Sequence, residues 1–203
     1  MPEEEKWRNG GKFLRVDLTS GRIWSEQLDE ETYRKYLGGT GYGAKVLYEE
    51  VAPEVEWSDP ENRIIVASGP LGGTRVNGSG TVSVITKGPM TNGAATSQAN
   101  GFLGAYMRLN GYDGVVLQGA AESLKYLYFH DGEAELRDAT HLAGVDTWEM
   151  TDRLTEELAV DERRLSVFGI GPAGEHLVRF AAFAGDRGHV AGHNGTGAVM
   201  GSK

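Results

Sequence analysis

Glycine constrains this chain more than any other residue: it occupies 30 of the 203 positions, about twice the usual share of roughly 7%. The glycines do not recur at every third position, so a collagen helix is excluded. They gather where apolar runs end. Gly69-Pro70-Leu71-Gly72-Gly73 follows Arg63–Ser68, and Gly169-Ile170-Gly171-Pro172-Ala173-Gly174 follows Arg164–Phe168. Glycine reaches positive φ freely but weakens the interior of a helix or strand. Such a chain must therefore fold as short elements joined by tight turns, with backbone laid close to backbone or to a ligand. Asn-Gly pairs starting at Asn9, Asn77, Asn92, Asn100, Asn110 and Asn194 predict further turns.

Between the turns the apolar pattern predicts a mixed α+β chain. Lys12–Leu18 and Arg22–Gln27 read as a hairpin through Ser20-Gly21. Asp29 caps a helix to Leu37, and a second helix runs over Tyr42–Val51. Arg63–Ser68, Thr81–Thr86 and Asp113–Gln118 are strands, with a helix at Phe102–Leu109. A second hairpin, Lys125–His130 and Glu133–Arg137, turns at Asp131-Gly132, a strong type I′ signal. Thr147–Leu158 is a helix with Trp148, Leu154 and Leu158 facing inward, and Arg164–Phe168 is a strand. Hairpin, helix, strand and Gly-Pro thus occur twice in order. The expectation is two similar β-rich halves, 12–119 and 120–203, behind a flexible start at 1–11.

Composition narrows the function. Hydrophobic residues make up 39% and aromatics 9%, too much for a disordered chain. A net charge of −9 with no basic stripe argues against nucleic acid or an anionic membrane as partner. The absence of Cys excludes disulfides, thiolate nucleophiles and thiolate metal sites within these residues. No secretory apolar core follows Met1-Pro2-Glu3-Glu4-Glu5-Lys6, so a cytoplasmic protein is expected.

The motifs point to an anionic ligand. Gly185–Gly195 leads into the apolar run Ala198-Val199-Met200, a glycine nest opening a helix and a favourable seat for phosphate. In the Gly69–Gly80 loop, Arg75 is the natural phosphate partner through its forked guanidinium, although a plain solvent loop is the competing reading. Gly169-x-Gly171-x-x-Gly174 fits the dinucleotide fingerprint. The following His176–Phe183 alternates like a strand, however, and the ribose-binding acid is replaced by His193 and Asn194. His189, His193 and Asp186 could ligate a metal, but the glycines at 188, 192 and 195 break the rigid face a metal site needs. Arg137-Asp138 and Asp186-Arg187 read as surface charge pairs.

Taken in order, several landmarks resemble one family. They are Gly38-Gly39, Asp59-Pro60-Glu61-Asn62, Gly69-Pro70-Leu71-x-Gly73-Thr74, Thr86-Lys87-x-Pro89-x-Thr91, Gly111-Tyr112-Asp113, Arg137-Asp138-Ala139-x-His141, Ile170-Gly171-Pro172-Ala173-Gly174-Glu175 and Gly197–Lys203. Together they resemble the N-terminal domain of tungsten-dependent aldehyde:ferredoxin oxidoreductases. The resemblance implies a saddle-like base beneath a tungsten (or molybdenum) bis-pterin with bridging Mg2+. It implies oxidation of aldehydes to carboxylates, with electrons passing through a 4Fe-4S cluster to ferredoxin. The cluster's cysteines belong to later helical domains, so those domains are expected partners, and this chain alone is expected to be inactive. An uncovered apolar surface, and a homodimer as one way to cover it, are expected too.

By the same resemblance the cofactor-binding positions fall on Arg75, Thr81, Gln98, Asn100, His189, Val190, Gly192, His193 and Gly195, with Gln98 and Val190 at the magnesium. Several depart from the family pattern. A family arginine falls on Thr81, an asparagine on Gln98, and two more arginines on His189 and His193. Each lost arginine removes a charge-assisted fork. The cofactor is then bound weakly, or is differently charged or placed. An accessory subunit that kept the fold and lost the pterin is the alternative.

Overall fold

The computed structural model describes residues 10–203. The acidic start and the Asn9 turn lie outside the described residues, as does the expected flexible stretch except for Gly10 and Gly11. Gly11 is buried, and its N–H donates to the Asp113 carboxylate.

The chain opens with β1 (Lys12–Asp17) and β2 (Arg22–Gln27), paired antiparallel. There follow α1 (Glu30–Tyr36), α2 (Gly39–Glu50), β3 (Ile64–Ala67), β4 (Val82–Lys87), β5 (Ala94–Ala99), α3 (Leu103–Leu109) and β6 (Gly114–Gln118). These six strands form one sheet in the order β2-β1-β6-β3-β4-β5. Only β1 and β6 run parallel.

Both faces of the sheet are covered. Phe13, Ile65, Ile85 and Val116 pack under Tyr42, Val46 and Leu47 of α2. On the other face Leu14, Val16, Ile64, Val66, Val84 and Val115 pack against Phe183, Ala191 and Val199 from the later chain. Burial on two faces is why β3 and β6 read as unbroken apolar runs. Arg15 points from β1 toward α2, where it donates to Glu26 (2.6 Å) and with both terminal nitrogens to Glu50 (2.9 and 2.7 Å).

The later chain supplies β7 (Lys125–His130), β8 (Glu133–Asp138), α4 (Thr147–Leu158), β9 (Phe168–Gly169), α5 (Pro172–Glu175), β10 (Phe183–Gly185), β11 (His189–Ala191) and α6 (Thr196–Gly201). The β7–β8 hairpin is a sheet of its own, turned by Asp131 and Gly132 at positive φ. The last three strands form a small sheet in the order β11-β10-β9. Hairpin, helix and strand do recur in order, but the first hairpin joins a six-stranded sheet and the second pairs only with itself.

Four local expectations change. β5 carries only small and polar residues, so it lacked the apolar alternation that marks a strand. Trp148 is 53% exposed, and α4 buries Met150, Thr151 and Leu154 instead. Arg187 lies over the Trp148 ring at 5.4 Å. The strand expected at Arg164–Phe168 shrinks to Phe168–Gly169, because Asp161 caps a 3-10 turn at Glu162–Arg164. His176–Phe183 is mostly irregular, with Leu177 at positive φ.

Many of the ordered landmarks are fastenings of this fold. Asn62 donates to the carbonyls of Trp57 (2.7 Å) and Lys87 (3.0 Å). The Lys87 ammonium reaches the carbonyls of Pro53 and Val55, and Lys203 caps those of Asp59 (2.7 Å) and Asn62 (2.9 Å). Asp113 pairs with Arg108, and Glu175 accepts the Gly144 N–H. Buried carbonyls and charges need such partners.

Candidate cofactor cleft

The edge of the large sheet, β5, meets the edge of the small sheet, β11. The His193 N–H donates to Ser97 Oγ (3.0 Å), and the Asn194 carboxamide donates to the Thr96 carbonyl (2.8 Å). Just past this junction an open cleft of about 540 Å³ is lined by Thr81, Gln98, Ala99, Asn100, Gly188, His189 and Val190. Its size is within the range of small-molecule sites, roughly 300–1,000 Å³.

The structure thus brings five of the residues named from sequence, Thr81, Gln98, Asn100, His189 and Val190, to one cleft. Three of these side chains are tied: Thr81 Oγ1 lies 2.9 Å from Asn100 Oδ1, and Gln98 donates to Ser83 Oγ at 3.3 Å. Gly188 was not named as a site residue by sequence reasoning, which held it only as a member of the Gly185–Gly195 nest. It has φ +121° and open space where a Cβ would stand.

The other named residues lie outside this lining. Arg75 is exposed in the 69–80 loop. That loop is closed on itself, because the N–H groups of Gly72, Gly73, Thr74 and Ser79 donate to carbonyls of the same loop. It is therefore less open to an anion than its glycine content implies. His193 and Gly192 are exposed beside β11. Gly195, at φ +67°, opens α6, and a Cβ there would collide with the Arg179 carbonyl and stand 2.6 Å from Pro89. Packing alone thus requires glycine at that position.

Among the described residues no group of three His, Cys, Asp or Glu side chains gathers to hold a metal. Asp186, the third member of the suspected metal set, accepts from the N–H groups of Phe102 (2.7 Å) and Val167 (3.0 Å) and from Ser166 Oγ (2.9 Å). The adjacent charges also pair elsewhere than with each other. Arg187 forks onto Glu162 and Asp152, and Arg137 donates through one nitrogen to Glu135.

Chemically, the lining offers two carboxamides, a hydroxyl, an imidazole and unobstructed glycine backbone, with no Lys or Arg. N–H and O–H donors of this kind suit phosphate oxygens. Val190 could serve a cation only through its carbonyl. The donor set fits the phosphate oxygens of an anionic cofactor, and the lining itself carries no Lys or Arg to neutralise them.

Comparison with known proteins gives the cleft a context. Residues 13–203 match the family model "Aldehyde ferredoxin oxidoreductase, N-terminal domain". A tungsten-containing aldehyde ferredoxin oxidoreductase of Pyrococcus furiosus is 41% identical over 96% of this chain and 32% of its own length. The WOR-like subunit of an aliphatic sulfonate oxidoreductase from the same organism is 36% identical over 95% of the chain and 33% of its own length. Among solved structures, the active-site complex BamBC of benzoyl coenzyme A reductase superposes with a TM-score of 0.91 at 40% identity, covering 95% of this chain and 29% of that one. The chain spans about a third of the length of the curated relatives it matches. With the model matched from the first strand to the last residue, the chain belongs to the aldehyde ferredoxin oxidoreductase N-terminal domain family.

Proposed function

We propose that this chain is the cofactor-holding domain of a tungstopterin (or molybdopterin) oxidoreductase that converts aldehydes to carboxylates. The observation that carries this is the convergence of Thr81, Gln98, Asn100, Gly188, His189 and Val190 on one cleft where two sheet edges meet. In this reading Gln98, Asn100 and His189 donate to pterin and phosphate oxygens, with Gly188 leaving the backbone accessible. The carboxamide oxygen of Gln98 and the carbonyl of Val190 would hold Mg2+, and His193, Gly192, Gly195 and Arg75 are the remaining contacts this reading proposes. The bound metal centre would supply the two-electron redox step, and this chain supplies position and electrostatics.

The two parts, 12–119 and 120–203, would serve as the halves of a saddle beneath the cofactor. Cysteine-bearing helical domains would bring the 4Fe-4S cluster and the route to ferredoxin. Among the described residues no helix is long and apolar enough to cross a membrane, consistent with the proposed cytoplasmic setting. Relatives at 36–41% identity carry names for aldehyde and for aliphatic sulfonate chemistry. That spread supports placing the choice of substrate outside this domain.

The test is aldehyde-dependent reduction of an acceptor dye by the protein purified from its native host. Turnover with aldehydes supports the assignment, and metal-loaded protein inert to every aldehyde class refutes it. The absence of Lys and Arg from the cleft lining favours the second reading, an accessory subunit without pterin, should no cofactor be found.

A further inference from the structure

Asp186 stands behind the cleft rather than in it, and it joins the cleft's two walls. One wall ends at Asn100-Gly101-Phe102, just after β5. The other is the turn Asp186-Arg187-Gly188 that leads into His189. The Asp186 carboxylate places Oδ2 2.7 Å from the Phe102 N–H and Oδ1 3.0 Å from the Val167 N–H, while Ser166 Oγ lies 2.9 Å from both oxygens.

The surroundings are shaped to admit that carboxylate. Gly101 sits at φ +110°, and a Cβ there would stand 2.7 Å from Asp186 Oδ2 and 3.3 Å from the His189 ring. Asp186 and Arg187 hold φ of +42° and +59° in succession, a conformation that side-chain-bearing residues keep only when their surroundings fix it. Asp186 is fixed by its three donors, and Arg187 by Glu162 and Asp152 at 2.7 and 2.6 Å. Two left-handed residues in a row, each anchored through its side chain, set where the next two residues, Gly188 and His189, enter the cleft.

We propose that Asp186 is a positioning residue that clamps the two walls of the cleft together, fixing Gly188 and His189 opposite Asn100 for the anionic cofactor. The proposal rests on the cofactor reading above, yet its mechanical part can be tested separately. Asp186→Asn keeps the shape, but its amide nitrogen cannot accept. Whichever way the carboxamide turns, the Phe102 or the Val167 N–H then faces a donor. A lost charge-assisted acceptor corresponds to about tenfold or more in local opening.

The experiment compares wild type with Asp186→Asn in the full protein from its native host, by hydrogen–deuterium exchange and by pterin content per chain. Exchange about tenfold or more faster at Phe102 or Val167 and across 187–190 is expected, with the slow amides of β3 and β6 lagging behind, and pterin content several-fold lower. Unchanged exchange, or β3 and β6 accelerated by the same factor, overturns the clamp. Faster local exchange with full pterin content overturns its role toward the cofactor. If wild type holds no pterin, the cofactor reading falls, and the exchange result alone still decides the clamp. Should Asp186→Asn not accumulate, Ser166→Ala is expected to give the same pattern at smaller amplitude, and no change there also refutes the proposal.

Discussion

Arg15 offers the sharpest quantitative test of how the large sheet is held to α2. Its side chain is 10% exposed, between Glu26 at 35% and Glu50 at 28%. Arg15→Met keeps the aliphatic bulk and leaves two carboxylates without their main partner, although Arg63 still reaches Glu50 at 3.1 Å. Removing one partner of a fully buried pair costs about 3–5 kcal/mol. The water that still reaches both glutamates screens them and reduces this to about 2–3 kcal/mol. For a domain of this size that is a fall of roughly 5–10 °C in melting temperature. Scanning calorimetry at pH 7 measures it. The double variant Arg15→Met, Glu26→Gln should recover part of the loss, because Glu26 then carries no uncompensated charge and Glu50 keeps Arg63. A shift within about 1 °C for Arg15→Met would show that the cluster behaves as ordinary surface charge.

Three further outcomes follow from the same structure. Burial pushes the Glu50 carboxyl up, but hydrogen bonds from Arg15 and Arg63 outweigh it and hold it below its ordinary 4.5. The folded state therefore binds that proton less readily than the unfolded chain. The stabilisation is full above about pH 4.5 and is lost as pH falls through the folded value, so melting curves of Glu50→Gln should depend less on pH in that window than wild type. Gly195→Ala should destabilise by about 2 kcal/mol or more, from positive φ together with the Arg179 clash. Gly188→Ala, strained but unobstructed, should cost less, about 1–2 kcal/mol, and urea midpoints rank the two. Replacing Thr81, His189 and His193 together by Arg should tighten pyrophosphate binding in calorimetric titration by about tenfold or more per arginine that reaches it; unchanged affinity would mean the anion sits elsewhere.

The sheet was legible wherever burial on both faces left apolar runs, as at Ile64–Ala67 and Gly114–Gln118, or where Asp131-Gly132 dictated a turn. β5 was not, because Ala-Ala-Thr-Ser-Gln-Ala sits on a half-exposed edge where no apolar alternation is selected. Trp148 misled because its apolar body is satisfied by Arg187 on the surface rather than by the core. The cleft is illegible to periodicity altogether. Thr81 precedes β4, Gln98 lies near the end of β5 with Asn100 just after it, and His189 opens β11; only a likeness in order drew them together before the fold did. Asp186 carried a misleading signal: beside two histidines a carboxylate suggests a ligand, whereas its real partners, Phe102 and Ser166, are 84 and 20 residues away.

The most direct test of the central claim is the tungsten, molybdenum and pterin content of the protein purified from its native host. The account predicts about one metal and two pterins per chain. Protein free of both metal and pterin would contradict it and leave a family fold serving as an accessory subunit.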